Sequence, residues 1–190
     1  MLKERYMVLR VYKRLNALDV YKKVRISDDY TYPEDFWREL IREEKVAIIR
    51  YFIEDLLQWD EQKLLDNLDN SVFYEYGLKK LLVIHYKDHF FNAIRDAYPT
   101  RFMPWQFKNN TIKKWDIKTA KYATRWLVEA ELHLSTGKIY TSLKEKDFAN
   151  ANLDGMLKKV YGGSIPKAVQ MAFPEKNIKE SLFITPTNKF

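Results

Sequence analysis

The sequence predicts an all-α protein made of two tandem copies of one helical unit, preceded by an N-terminal helix. Three observations predict it. Glycine (5) and proline (6) are scarce among 190 residues, which disfavours a turn-rich β sandwich or barrel. Apolar residues recur at helical rather than alternating spacing. And residues 50–99 align without a gap to residues 125–174, an offset of 75, with 12 identities in 50 positions. The identical pairs include Arg50/Arg125, Glu54/Glu129, Leu57/Leu132, Phe73/Phe148, Leu78/Leu153, Tyr86/Tyr161, Ala93/Ala168 and Pro99/Pro174. Self-similarity at a fixed period marks a repeated supersecondary unit. A residue kept in both copies is expected to be scaffold, and one found in a single copy is free to serve function. The boundaries read as 1–32 for a basic N-terminal helix, 33–107 for the first unit, 108–182 for the second and 183–190 for a tail.

Each element follows from local pattern. In residues 2–24, Leu2, Tyr6, Leu9, Leu15, Leu18 and Tyr21 line one helical face. Residues 36–57 place Leu40, Ile41, Val46, Ile49, Phe52, Ile53, Leu56 and Leu57 at helical spacing, behind a capping box of Thr31 and Glu34. Asp60 and Ser135 are good N-caps for short helices carrying Leu64 and Leu68, or Ile139 and Leu143. A third stretch carries Phe73, Leu78 and Leu82, or Phe148, Leu153 and Leu157. Asp88 and Ser164 are expected to cap a final helix that Pro99 or Pro174 stops. Residues 101–115 read as a spacer, and the tail beyond Phe183 as extended chain.

Composition narrows the function. Hydrophobic residues at 46% and aromatics at 15% suffice for a sizeable core and exclude global disorder. With no cysteine there is no disulfide framework, thiol nucleophile or cysteine zinc site, and a cytoplasmic setting fits. No apolar run approaches the roughly 18 residues of a membrane span. Lys3, Arg5, Arg10, Lys13 and Arg14 break up every signal-like stretch at the N-terminus.

Charge divides unevenly. Residues 33–107 hold 10 Lys/Arg against 14 Asp/Glu, and residues 108–182 hold 14 against 8, so the units carry −4 and +6. Lys108, Lys113, Lys114, Lys118 and Lys121 run ahead of Trp126, Lys144 and Lys146 flank a turn, and Lys158 and Lys159 stand where the first unit has Val83 and Ile84. Phosphate backbones are the commonest partner of such a surface. On these grounds double-stranded DNA is the expected partner of the second unit, and a protein is the expected partner of the acidic first unit.

No catalytic set emerges, and no enzyme activity or cofactor is expected. His85 and His89 stand four apart, a spacing that suits metal ligands on one helix, but no third ligand accompanies them. Arg50/Glu54 and Arg125/Glu129 have the spacing of helical ion pairs, and their presence in both copies argues for scaffold. Gly162-Gly163-Ser164 opens a helix and reads either as a phosphate-holding turn or as a plain turn with an N-cap. Trp59 and Trp126, matched by Leu134 and Tyr51, are expected in the core.

The run Asp147-Phe148, Leu153-Asp154-Gly155-Met156-Leu157, Tyr161-Gly162-Gly163-Ser164 and Ala172-Phe173-Pro174 resembles a repeat in uncharacterised helical proteins of Gram-positive bacteria and their prophages. In those proteins a Pro-Trp-x-Phe element follows, as Pro104-Trp105-Gln106-Phe107 does here. It is more distantly similar to the homing-endonuclease-associated repeat. That resemblance implies a helix-turn-helix-like tri-helical part in residues 135–173, and a regulator or accessory role on DNA. The segment 153–161 with Lys158 and Lys159 is then the groove-reading helix, Asn150 and Asn152 are base readers, and a homodimer is usual. The first unit departs from the pattern with Lys87-Asp88-His89 in place of Gly-Gly-Ser.

Overall fold

The computed structural model describes residues 16–109 and 114–183. Leu2, Tyr6, Leu9, Leu15, Lys113 and the tail beyond Phe183 lie outside the described residues. Among those described there are twelve α-helices and no strand, in two compact units, residues 16–109 and 114–183. The expected all-α class and the two-copy organisation are both present.

In the first unit, α1 (Ala17–Ile26) starts behind Asn16, whose side chain accepts the Asp19 N–H at 2.9 Å. Its Tyr21 is fully buried and donates to the Tyr76 carbonyl at 2.8 Å. Then come α2 (Phe36–Glu39) and α3 (Arg42–Tyr51), the latter running on into a π-helical turn, Phe52–Leu57. Four short helices follow: α4 (Glu61–Asn67), α5 (Asn70–Glu75), α6 (Lys79–Tyr86) and α7 (Phe90–Ala97). The second unit repeats the order with α8 (Ile117–Arg125), a π-helical turn (Trp126–Glu131), α9 (Thr136–Ser142), α10 (Glu145–Asn150), α11 (Asp154–Tyr161) and α12 (Ile165–Ala172). Helices α4 to α7 begin and end 75 residues before α9 to α12.

The repeat extends to backbone conformation. Gln58/His133, Gly77/Asn152, Lys87/Gly162 and Asp88/Gly163 all have positive φ at the 75-residue offset. The same inward positions fill each core. Phe73/Phe148, Leu78/Leu153, Ala93/Ala168 and Ala97/Ala172 are buried in both units. Each buried phenylalanine removes enough apolar area to contribute about 2–3 kcal/mol. In both units the final helix lies against the long one, α7 on α3 and α12 on α8. The alanines, lacking bulk beyond Cβ, let the helices approach.

Several local expectations are corrected. Residues 36–57 do not form one helix. The chain turns extended at Leu40 and Ile41, and Glu44 accepts the Ile41 N–H at 3.0 Å to start α3 afresh. Helix α2 begins behind Asp35, downstream of the expected Thr31 and Glu34 box. The third apolar stretch is two helices in each unit, broken where Gly77 or Asn152 takes a left-handed conformation. Apolar residues on both sides of the break hide it from periodicity. Asp88 is not the cap of α7. It is left-handed itself, and the N-cap position belongs to His89. The Phe90 N–H is instead satisfied by the Asn70 side chain at 2.8 Å. The spacer begins as core: Phe102, Trp105 and Phe107 are buried around a 3-10 turn, Pro104–Gln106.

Candidate nucleic-acid interface

Of the second unit's lysines, Lys146, Lys158 and Lys159 lie on α10 and α11 with Lys144 just before them, and Lys118 and Lys121 lie on α8. Phe148, Leu153, Met156, Leu157 and Tyr161 turn inward, and this orients the remainder of α10 and α11 outward. Lys144, Lys146, Asn150, Asn152, Lys158 and Lys159 are all exposed. Lys144 precedes α10, and its N–H donates to Asp147 at 2.8 Å, which fixes the entry of the chain into the helix. The turn between the helices is closed by the Leu153 N–H on the Phe148 carbonyl at 2.7 Å, as Leu78 closes on Phe73 at 2.9 Å.

Asn152 therefore has a structural job. Its φ of 57° matches the 75° of Gly77, and asparagine is among the few side chains tolerated there. The exchange of glycine for asparagine between copies was the available signal for that role. Asn150, the last residue of α10, is exposed without this duty. Lys158 lies 3.7 Å from Asp154, with side chains 75% and 54% exposed, so the pair is worth little and does not withdraw the lysine from a ligand.

On α8, Lys118 is exposed and Lys121 half-buried, with exposed Lys114 just upstream. Asp116 heads this helix and accepts from the Thr119 N–H at 2.7 Å and its hydroxyl at 3.1 Å. The Thr119 backbone bond leads in holding its carboxyl below the usual aspartate range. Tyr122 is 54% exposed one turn after Lys118, on the same helical face. Sequence reasoning missed this residue. Its signal was an aromatic in one copy facing Ala47 in the other, four residues from a lysine. Lys108 does not join this group. It belongs to the first unit, where its N–H donates to the Leu65 carbonyl at 3.0 Å.

The other sequence candidates resolve individually. The amides of Gly162, Gly163 and Ser164 donate to the carbonyls of Lys158, Leu157 and Tyr161, so they are engaged within the chain and hold no phosphate. The Ser164 hydroxyl caps α12 by accepting the Lys167 N–H at 3.2 Å. His85 on α6 contacts the Trp37 carbonyl at 2.6 Å, and exposed His89 stacks on Phe90, so the two imidazoles serve different neighbours. Among the described residues no group of three or more metal-ligating side chains comes together. Trp59 and Trp126 are half-buried rather than core. The i, i+4 ion pairs are also corrected. Arg50 donates twice to the Ala97 carbonyl, at 3.1 and 2.9 Å, and Arg125 donates to that of Ala172. Glu54 accepts from Tyr98 at 2.8 Å, while Glu129 pairs with Lys176 at 3.1 Å.

These features define a tandem helical-repeat protein in which one scaffold carries two different surfaces. The chain belongs to the family described as protein of unknown function (DUF4046), whose model matches it twice, at residues 17–103 and 103–178. No curated protein and no solved structure matches the chain. No helix among the described residues is long and apolar enough to cross a membrane.

Proposed function

We propose that the protein is a non-enzymatic DNA-binding regulator or accessory factor that contacts backbone phosphates through the α8 and α10–α11 surface of its second unit. One observation carries the reading. At matched outward positions of the two copies, acids and apolar residues of the first become bases or amides in the second. Glu43, Asp69 and Glu75 become Lys118, Lys144 and Asn150, and Val83 and Ile84 become Lys158 and Lys159. Along α10 and α11 the buried Phe148, Leu153, Leu157 and Tyr161 are the same residues as Phe73, Leu78, Leu82 and Tyr86 of the first unit. The resemblance to prophage and homing-endonuclease-associated repeats adds a mobile-element setting to this proposal.

The test is fluorescence anisotropy of the full chain on random-sequence duplex DNA across about 50 to 200 mM salt. If the four lysines 144, 146, 158 and 159 each meet a phosphate, affinity falls on the order of 100-fold across that range. Lys158→Glu with Lys159→Glu should abolish binding at the upper end. No binding at the lower end sinks the proposal.

A second reading, a protein-interaction module, is favoured by the first unit. Ile41, Val83 and Ile84 are 59%, 51% and 42% exposed there, on an acidic background. Val83→Asp with Ile84→Asp should then cost partner binding, measured by in-cell crosslinking, and leave duplex binding unchanged. Unchanged crosslinking in that variant refutes it.

A further inference from the structure

The first unit contains a pocket whose lining its second copy does not share. It is about 370 Å³ and is lined by His85, Tyr86, Lys87, Asn92, Arg95 and Asp96, where α6 turns into α7. That size falls within the range of small-ligand sites. At the matched positions the second unit has Val160, Tyr161, Gly162, Lys167, Gln170 and Met171, so only the tyrosine is shared. By the logic of the repeat, the remaining five are not required by the scaffold.

The charge balance of the lining selects the ligand. Asp96 is already neutralised. It accepts from Arg42 at 2.7 Å and from the Tyr86 hydroxyl at 3.0 Å. Asn92 donates to the Tyr86 carbonyl at 3.0 Å and accepts from Arg95 at 3.3 Å, which steadies the guanidinium. The Trp37 carbonyl can only accept, so the nitrogen of His85 that faces it, Nε2, donates to it, and His85 serves to hold the pocket wall. Lys87 and Arg95 take part in no ion pair among the described residues. The pocket thus holds two uncompensated cations inside an otherwise acidic unit. A dianion with several acceptor oxygens answers both, with Arg95 offering a planar fork and Lys87 a point charge. A monocarboxylate answers one.

We infer that this pocket binds the phosphate group of a small phosphorylated molecule, through Lys87 and Arg95. The second unit supplies the control substitutions, since its backbone already carries Gly162 and Gln170 at the positions of Lys87 and Arg95. The experiment is an amide-resolved NMR titration of the full chain with inorganic phosphate, against acetate and against sodium chloride at matched ionic strength. Saturable shifts centred on residues 85–96 are expected with phosphate and not with acetate. Lys87→Gly combined with Arg95→Gln should weaken them at least tenfold while leaving the remaining spectrum in place, and Arg95→Gln alone serves if the double variant does not fold. Shifts that never saturate, acetate binding of equal strength, or undiminished binding in the variant would overturn the assignment.

Discussion

The turn after α6 gives the sharpest test of the physical reading. Lys87 and Asp88 have φ of +56° and +52°, and their counterparts Gly162 and Gly163 have +64° and +82°. Both turns close identically, with the Asp88 N–H on the Leu82 carbonyl and the Gly163 N–H on that of Leu157, each at 3.0 Å. A side chain in the left-handed region costs roughly 1–2 kcal/mol. Glycine removes that strain but brings a more disordered unfolded chain, a penalty of about 0.5–1 kcal/mol. Lys87→Gly should therefore raise stability by about 0.5 kcal/mol. The reverse change, Gly162→Ala, should lower it by about 1 kcal/mol. A Cβ at Gly162 meets nothing within 4 Å, so the loss is dihedral strain alone. Asp88→Gly should gain nothing. It gives up the 2.6 Å bond from the Tyr74 hydroxyl, which offsets the relief by about 1 kcal/mol. Urea unfolding read by fluorescence measures all three as shifts in midpoint at constant slope. A Lys87→Gly variant destabilised by ~1 kcal/mol or more, or a neutral Gly162→Ala, would refute the account.

Further outcomes follow from the same contacts. Arg50→Met removes two bonds to the Ala97 carbonyl at the end of α7 and should cost about 2 kcal/mol in urea unfolding; a loss under ~0.5 kcal/mol would show the cap to be idle. Phe148→Ala empties a fully buried site and should cost about 3–5 kcal/mol, enough to flatten the near-ultraviolet circular dichroism of the second unit. Asp116 has its carboxyl depressed in the folded state, so its contribution is present above the ordinary aspartate pKa of about 4 and is lost as pH falls through the lower folded value. Asp116→Asn should accordingly shallow the acid limb of a stability–pH curve, and an unchanged limb would show that the Thr119 cap contributes nothing to it.

The repeat itself was legible because buried positions change slowly in kind even where identity is lost. Phe52/Leu127 and Leu81/Met156 remain apolar because the core on each side has no room for charge. Caps with strong local chemistry were legible too: Asp60 accepts the Lys63 N–H at 2.7 Å, and Ser164 that of Lys167. What escaped was set by tertiary partners. Asn70 satisfies the start of α7 from 20 residues away, a bond that no local window contains. The π-helical turns at Phe52–Leu57 and Trp126–Glu131 keep apolar residues in place while altering the hydrogen-bond ladder, so helical periodicity passes over them. At the candidate interface, sequence identified the lysines, but only the fold separates Asn152, which shapes a turn, from Asn150, which does not.

Shared identity between the copies marks a scaffold position without preserving the bond made there. Arg50 and Arg125 keep one job, since each donates to the carbonyl of the last alanine of the final helix. Glu54 and Glu129 do not. In the first unit the partner is the Tyr98 hydroxyl. In the second the matching residue is Phe173, which has no donor, and Lys176 reaches the carboxylate while its ammonium lies 4.2 Å from the Phe173 ring centre. Tyr98→Phe copies the second unit's ring into the first without its lysine, because the residue matching Lys176 is Arg101, and that side chain pairs with Glu61 at 3.0 Å. Glu54, which is exposed, then has water in place of the Tyr98 hydroxyl as its donor, and urea unfolding should show a loss of about 1 kcal/mol. The corresponding Phe173→Tyr adds a donor beside a carboxylate already paired and should change stability by less than about 0.5 kcal/mol. Equal effects in the two units would mean that the glutamates are held by something common to both, and that the divergence of their partners carries no energetic consequence.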